Sequence, residues 1–281
     1  MTDDRRLVAV VPDSCTLLYA SFESGRHPEV KPRYIERSKR LVDFIKHFNV
    51  GVISEDIIQS TATTYAAGDL SEREQANFKE VINGISHIGF SRTTIDGNFG
   101  VINGIYDRAR EKFNDNVAGL LASKDDIKPS RRKGVVSNRQ LKKWARKVAD
   151  TLNSPEYEIM KKKLLTDPPD SNDKYLLSYG HILKEKYQYV FIATDDAHLR
   201  PMPNCGNLGF LIHDEIKNAL GIRCYQPYFA QKKVEDILKR AGFLGAERTL
   251  INQKPEYNSH AFQDACKDGF EEKDRDAFEE E

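Results

Sequence analysis

Residues 189–199 read Tyr-Val-Phe-Ile-Ala-Thr-Asp-Asp-Ala-His-Leu. An apolar run rich in β-branched and aromatic residues, Val190-Phe191-Ile192, breaks at Thr194 into two adjacent carboxylates, Asp195 and Asp196. A short, continuous apolar run of this kind is the pattern of a strand buried on both faces, as in parallel sheets. Open α/β sheets bind ligands beyond the carboxyl ends of their strands, which is where these two aspartates fall. Leu7-Val8-Ala9-Val10-Val11 is a second such run, and it ends in Pro12-Asp13-Ser14. Two buried strands that each deliver an aspartate predict one cluster of carboxylates. Carboxylates gathered without matched cations point to a divalent metal.

Around these two strands the chain reads as alternating strands and helices with one long interruption. Residues 6–12 are the first strand, and 14–24 a short helix or turn closed by Gly25 and Pro28. Ile35, Leu41, Val42, Ile45 and Phe48 recur at helical spacing. Residues 49–53 form a short second strand, and Ser54 is placed to cap a helix that begins near Glu55. A long segment of helical character follows, and the sheet resumes after Pro168-Pro169. Asp173 precedes a helix through Leu183, Leu208–Leu220 is another helix, residues 221–225 are a last strand, and Val234–Leu238 lie in a closing helix. The expected organisation is a first α/β part over residues 1–68, a helical basic insertion over 69–167, a second α/β part over 168–250 and an acidic tail over 251–281.

Composition fits a soluble globular chain: of 281 residues, 31% are charged and 39% apolar, with zero formal net charge. No stretch approaches the roughly 18 uninterrupted apolar residues that span a bilayer, and the charged start of the chain lacks a signal-peptide core. Cys15, Cys205, Cys224 and Cys266 show no CxxC spacing. They read as reduced thiols of a cytoplasmic protein with no membrane partner.

The stretch VVPDSCTLLYA at residues 10–20 resembles the opening of the PIN-domain nucleases, a strand running into Asp-(Ser/Thr)-x-x-Leu. The later hallmark of that family is an Asp-led helix, a short loop and a strand ending Thr-x-Asp. Asp173-Lys174-Tyr175-Leu176-Leu177 and Thr194-Asp195-Asp196 fill those places in order, and GIRCYQP at 221–227 is similar to the family's last strand. The resemblance covers residues 5–65 and 170–242. It implies a three-layer α/β/α fold with a mostly parallel central sheet, here interrupted by the helical insertion. It further implies a carboxylate cluster with Asp13, Asp173 and Asp196 as metal ligands, and with Asp195 or Glu55 completing the shell. Ser14 and Thr194 would position water or a carboxylate. One departure stands out: the place of the family's second acid, a turn or two into the helix after Ser54, falls on Gln59-Ser60. Glu55 and Asp56 lie at the start of that helix instead.

The chemistry is coherent without the family. Phosphodiester hydrolysis needs an activated water and charge stabilisation on the phosphate, and Mg²⁺ or Mn²⁺ supplies both. These hard cations take oxygen ligands, hence aspartates. Simpler roles compete for each residue. Asp13 and Asp173 can be helix N-caps, Asp195-Asp196 a solvated turn, and His198 a turn or surface residue.

From 128 to 147 the chain carries nine basic residues, including Arg131 and Arg132, and no acid. On a helix over 138–150, Arg139, Lys142, Lys143, Arg146 and Lys147 share one broad face suited to a phosphate backbone. A solvated helix with Trp144 as core anchor is the alternative. Residues 264–281 hold nine acids against three bases and read as a disordered tail. The Gly-rich stretch 96–104 lacks the Lys-Ser/Thr of a phosphate loop and reads as a turn or loop. The expectation is a Mg²⁺- or Mn²⁺-dependent nuclease acting on RNA in preference to DNA, with its oligomeric state open. The alternative is a non-catalytic PIN-like module that binds nucleic acid or protein.

Overall fold

Leu7 to Pro12 are buried without a break, as are Val190 to Ala193. Successive side chains of a strand point to opposite faces, so unbroken burial means that both faces of the sheet are covered. Each large apolar side chain so buried contributes about 1.5–3 kcal/mol. The computed structural model describes residues 5–23, 25–66, 70–125, 146, 149–167, 169–196 and 198–243.

In chain order the elements are β1 (Arg6–Pro12), α1 (Ser14–Ser21), α2 (Pro32–His47), β2 (Val52–Ile53), α3 (Glu55–Ala66), α4 (Glu72–Asn83), β3 (Ser86–His87), α5 (Arg92–Asp96) and α6 (Phe99–Asp125). There follow α7 (Pro155–Leu165), α8 (Ser171–Leu183), β4 (Tyr187–Ala193), a 3₁₀ segment (Pro203–Phe210), α9 (Leu211–Leu220), β5 (Arg223–Tyr225) and α10 (Pro227–Arg240). The fold is mixed α/β. A parallel three-stranded sheet has the order β1-β4-β5, and a parallel pair is formed by β2 and β3. A single parallel bridge, Val10 to Gly51, joins the two.

Taken together the strands run β3-β2-β1-β4-β5, so the chain builds outward from β1 in one direction and from β4 in the other. The carboxyl ends of β1 and β4 are therefore the topological switch point of the sheet. Two groups of helices accompany the sheet: α1 packs on α2, α3 and α4, and α2 on α10, whereas α6 packs on α7, α8 and α9. Gly180 lets α8 lie close on β4, since a Cβ there would stand 3.2 Å from Ile192 Cδ1. Gly221, at φ +67°, ends α9 in the left-handed conformation that favours glycine.

Several expectations need correction. The segment 69–167, expected as a helical basic insertion, shares sheet and core with the rest of the fold over its described residues. Ser86–His87 extends the sheet by pairing with β2, and Ile95, Ile102, Ile105, Tyr106, Phe113 and Met160 belong to the one large core cluster. A two-residue strand leaves no run of β-branched residues to read. Residues 99–104 are the first turns of α6 rather than a loop, because the glycines there line a helix whose apolar face is buried. Asp173 is not an N-cap: Asp170 caps α8, and Asp173 sits at the third helical position of a capping box. Trp144, the helix expected over 138–150 apart from Arg146 and residues 149–150, and the acidic tail lie outside the described residues.

Glu74 ties α4 to the loop between α1 and α2. Its residue exposure is 0%, and its carboxylate accepts from the Glu23 and Ser71 amides at 2.9 and 3.0 Å. His27 Nε2 stands 2.9 Å away and Arg26 Nε 3.3 Å. Burial alone would raise its pKa, but these amide and His27 hydrogen bonds hold it below the ordinary glutamate value. A depressed carboxylate stabilises the fold above its unfolded pKa and loses that contribution as pH falls through the folded value. Glu74→Gln should therefore cost about 2–4 kcal/mol at neutral pH, and less at about pH 3, in urea unfolding curves.

Candidate metal centre

The pairing of β1 with β4 ends at Pro12 and Ala193, and the Asp13 amide then donates to the Ala193 carbonyl at 2.9 Å. Thr194, fully buried, is held by its own amide on the Tyr225 carbonyl at 2.8 Å. These backbone bonds bring the residues just beyond both strands side by side. Thr194 Oγ1 donates to Asp13 Oδ2 at 2.7 Å and accepts from the Asp196 amide at 2.9 Å. One hydroxyl thus orients both aspartates, a part of the role expected of it.

Asp13 is the N-cap of α1, so the capping role holds for it. Its other oxygen faces inward, where the Cys15 thiol donates to it at 3.1 Å. Burial pushes the Asp13 carboxyl above its ordinary value, despite the Thr194 and Cys15 bonds that favour its charge. Burial and the Asp13 carboxylate likewise push the Cys15 thiol well up, which keeps it protonated and unreactive.

The first turn of α8 carries Asp173 into the same place. Asp173, Asp196 and His198 each offer a ligand atom within 4.8 Å of the others. At that separation two like charges repel by roughly 3 kcal/mol in an effective dielectric of about 20, enough to hold a proton on one of them. Asp173 is the one: burial and the Asp196 and Asp170 carboxylates push it up to about 7. Asp196 goes the other way. Burial would raise it, but hydrogen bonds from the His198 ring and amide bring it below the usual aspartate value. Asp195 is raised by burial, with Arg200 opposing. Gln226 donates to its Oδ1 at 3.2 Å, and its buried Oδ2 has no hydrogen-bond partner among the described residues. Asp195 and Asp196 are half-buried rather than a solvated turn.

His198 is the residue that sequence reasoning missed. It is buried, not a surface residue, with 5% exposure. The only hint was its place between the aspartates and Leu199, itself fully buried. Its Nε2 lies 2.6 Å from the Asp167 carbonyl, which can only accept, so that nitrogen carries a proton. Its Nδ1 faces Asp196 Oδ1 at 3.1 Å, Asp173 Oδ2 at 3.4 Å and Lys163 Nζ at 3.3 Å. Burial would lower its pKa, but the Asp196 and Asp167 hydrogen bonds and the Asp173 charge raise it. Tyr106, reaching from α6, donates to the His198 carbonyl at 2.8 Å and pins the turn.

Glu55 does not join the cluster. It is exposed at the start of α3 and shares no described hydrogen bond with the aspartates. The neighbouring Asp56 faces α8 instead, where the Tyr175 hydroxyl donates to it at 2.6 Å. Helical geometry turns residues one apart by about 100°, which separates their side chains. Of the basic residues, Arg131, Arg132, Arg139, Lys142, Lys143 and Lys147 lie outside the described residues, and Arg146 is helical and exposed. A cleft of about 610 Å³ lined by Arg5, Arg6, His87, Lys186 and Tyr187 opens at the amino ends of β1 and β4. It is at the opposite end of those strands from the aspartates and takes no part in the centre.

The donor set of Asp173, Asp196 and His198 fits a divalent cation: two carboxylates from two segments and one imidazole, each with a ligand atom within 4.8 Å of the others. No family model, curated protein or solved structure matches this chain.

A raised carboxylate pKa has a stability consequence. Between the unfolded value of Asp173 and its folded value of about 7, the native state binds the extra proton, so stability falls as pH rises through that window. Asp173→Asn should match the parent at about pH 4 and exceed it by about 1–3 kcal/mol at about pH 8, in metal-free urea unfolding. Equal pH profiles for the two proteins would show that Asp173 is not crowded by charge.

Proposed function

We propose that this chain is a divalent-metal-dependent phosphodiesterase, a nuclease of the PIN-like kind acting on RNA in preference to DNA. The observation that carries the proposal is the convergence of Asp13, Asp173, Asp195 and Asp196 at the switch point of a parallel sheet, with Asp13, Asp173 and Asp195 raised chiefly by burial and Asp13 and Asp173 also by neighbouring carboxylates. A fold gains no stability from burying like charges together, so the crowding asks for a cation. Burial of both sheet faces and the two helix groups agree with the three-layer arrangement that the resemblance implies.

In this proposal Asp173 and Asp196 hold the cation directly, and Asp13 does so with its carboxylate aimed by Thr194. Asp195 supplies the remaining oxygen. Bound Mg²⁺ or Mn²⁺ would neutralise the phosphate and acidify the attacking water. The basic run from Lys128 to Lys147 would grip the phosphate backbone. RNA rather than DNA rests on the family resemblance.

A second reading, a non-catalytic binding module, draws on two observations. Glu55 stands away from the cluster, and His198, with Lys163 next to it, already places a nitrogen donor beside Asp196 and Asp173. Cleavage assays separate the two. With labelled single-stranded RNA, Mn²⁺ should support cleavage and EDTA abolish it. Asp13→Asn, Asp173→Asn and Asp196→Asn should each lower the rate by about a hundredfold or more, while Glu55→Gln should leave it unchanged. Full activity in Asp13→Asn and Asp196→Asn would sink the proposal.

The basic run is tested by binding in the Asp13→Asn background. Changing Arg139, Lys142, Arg146 and Lys147 to Glu should weaken binding across all sequences. It should also flatten the slope of log affinity against log salt by about 0.7 for each lost contact. An unchanged slope would assign that segment to another task.

A further inference from the structure

We propose that Asp173, Asp196 and the Nδ1 atom of His198 form a site for a first-row transition-metal cation such as Mn²⁺ in preference to Mg²⁺, and that the Lys163 ammonium is a tethered cation which the metal displaces. The inference rests on the metal-dependent reading above and specifies its metal.

Geometry comes first. Metal bonds of about 2.0–2.2 Å set ligand atoms roughly 3.0–3.5 Å apart around one ion. His198 Nδ1 already stands 3.1 Å from Asp196 Oδ1 and 3.4 Å from Asp173 Oδ2. The histidine is also locked as ligating histidines are. A ligating imidazole almost always gives its other N–H to a carbonyl or carboxylate, which fixes ring orientation and tautomer. Here Nε2 is held on the Asp167 carbonyl at 2.6 Å, and Tyr106 holds the His198 carbonyl at 2.8 Å. With Nε2 held there, Nδ1 faces both carboxylates, and a metal would take the place of the proton through which it bonds Asp196.

A cation already stands there. Lys163 Nζ approaches Nδ1 at 3.3 Å and Asp167 Oδ2 at 3.1 Å. Its side chain, 25% exposed, leaves from the last turn of α7 and can swing into solvent. The ammonium sets its positive charge beside the Nδ1 atom that a metal would bind, so the two cations compete by repulsion. The ligand chemistry then selects the metal. Mg²⁺ keeps its waters and takes oxygen ligands, whereas imidazole suits the later divalent ions, whose affinity climbs from Mn²⁺ to Cu²⁺ and falls back at Zn²⁺, still above Mn²⁺.

The test is isothermal titration calorimetry of the full chain at neutral pH with MnCl₂, ZnCl₂ and MgCl₂, joined by the electron paramagnetic resonance signal of bound Mn²⁺. Zn²⁺ should bind more tightly than Mn²⁺, and Mn²⁺ about tenfold or more tighter than Mg²⁺. His198→Gln keeps a donor for the Asp167 carbonyl and removes the ring lone pair, so it should erase the preference for Mn²⁺ over Mg²⁺. Lys163→Met, a change at a partly exposed position, should tighten Mn²⁺ binding by roughly tenfold by removing the competing charge. Equal affinity for Mn²⁺ and Mg²⁺, or no binding of either, overturns the inference; so does a His198→Gln protein that folds and keeps the preference. Cleavage is read separately. Selective Mn²⁺ binding without hydrolysis of RNA or DNA upholds this site and sinks the nuclease. Hydrolysis that is indifferent to Mn²⁺ against Mg²⁺ and to His198→Gln does the reverse.

Discussion

The parallel pairing of β1 with β4 is the constraint from which the rest of the molecule follows. Its register sets Pro12 opposite Ala193, and the next amide bond, from Asp13 to the Ala193 carbonyl, carries the pairing one residue past the strands. Both strands are buried on both faces, so their ends cannot shift without exposing a continuous apolar run. The aspartates that follow are therefore fixed beside each other, and burial there raises the pKa of Asp13 and Asp195. The fold holds them there by its apolar core, whose burial far outweighs the local repulsion.

How the cluster tolerates its own charge gives it its character. Thr194 shares one hydroxyl between Asp13 and the Asp196 amide, and Cys15 offers a weak donor to Asp13. Asp173 meets the crowding by a raised pKa, Asp196 by its bonds to His198. Neighbouring carboxylates whose pKa values are pushed apart in this way are poised for different protonation states at neutral pH. Elsewhere the protein settles buried acids differently: Glu74 is surrounded by amides, His27 and Arg26, and Glu215 is paired with Arg108 and Lys112. Those acids are matched with donors on the spot, and their pKa values fall. The contrast separates these structural carboxylates from Asp13, Asp173 and Asp195, whose values rise.

The segment between the two halves of the sheet supports this centre rather than decorating it. β3 extends the sheet, Glu74 of α4 binds the loop between α1 and α2, and α6 sends Tyr106 to the turn that carries His198. Lys163 arrives from α7. Helices remote in sequence thus fix the turn between β4 and the 3₁₀ segment, which on its own would be a mobile loop end.

The sequence by itself determined the two buried strands, their terminal aspartates, the helix after Ser54 and the closing strand and helix. Each is written in a local pattern, an apolar run or a helical spacing with a cap, and such patterns survive without knowledge of partners. Only the tertiary structure decided the rest. β3 is two residues long, so its pairing with β2 supplies all of its identity. The glycines near residue 100 are helical because α6 is buried along one face. Asp170 took the cap expected of Asp173, since both are chemically able and the position of the helix start chooses between them. Glu55 and Asp56 differ by one residue in sequence but by a large rotation about α3, which only packing against α8 resolves. His198 became part of the centre because Asp167 and Tyr106, distant along the chain, close around it. Carboxylate positions could be read from the ends of strands. The place of the histidine beside them could not, because it depends on the groups that hold its ring.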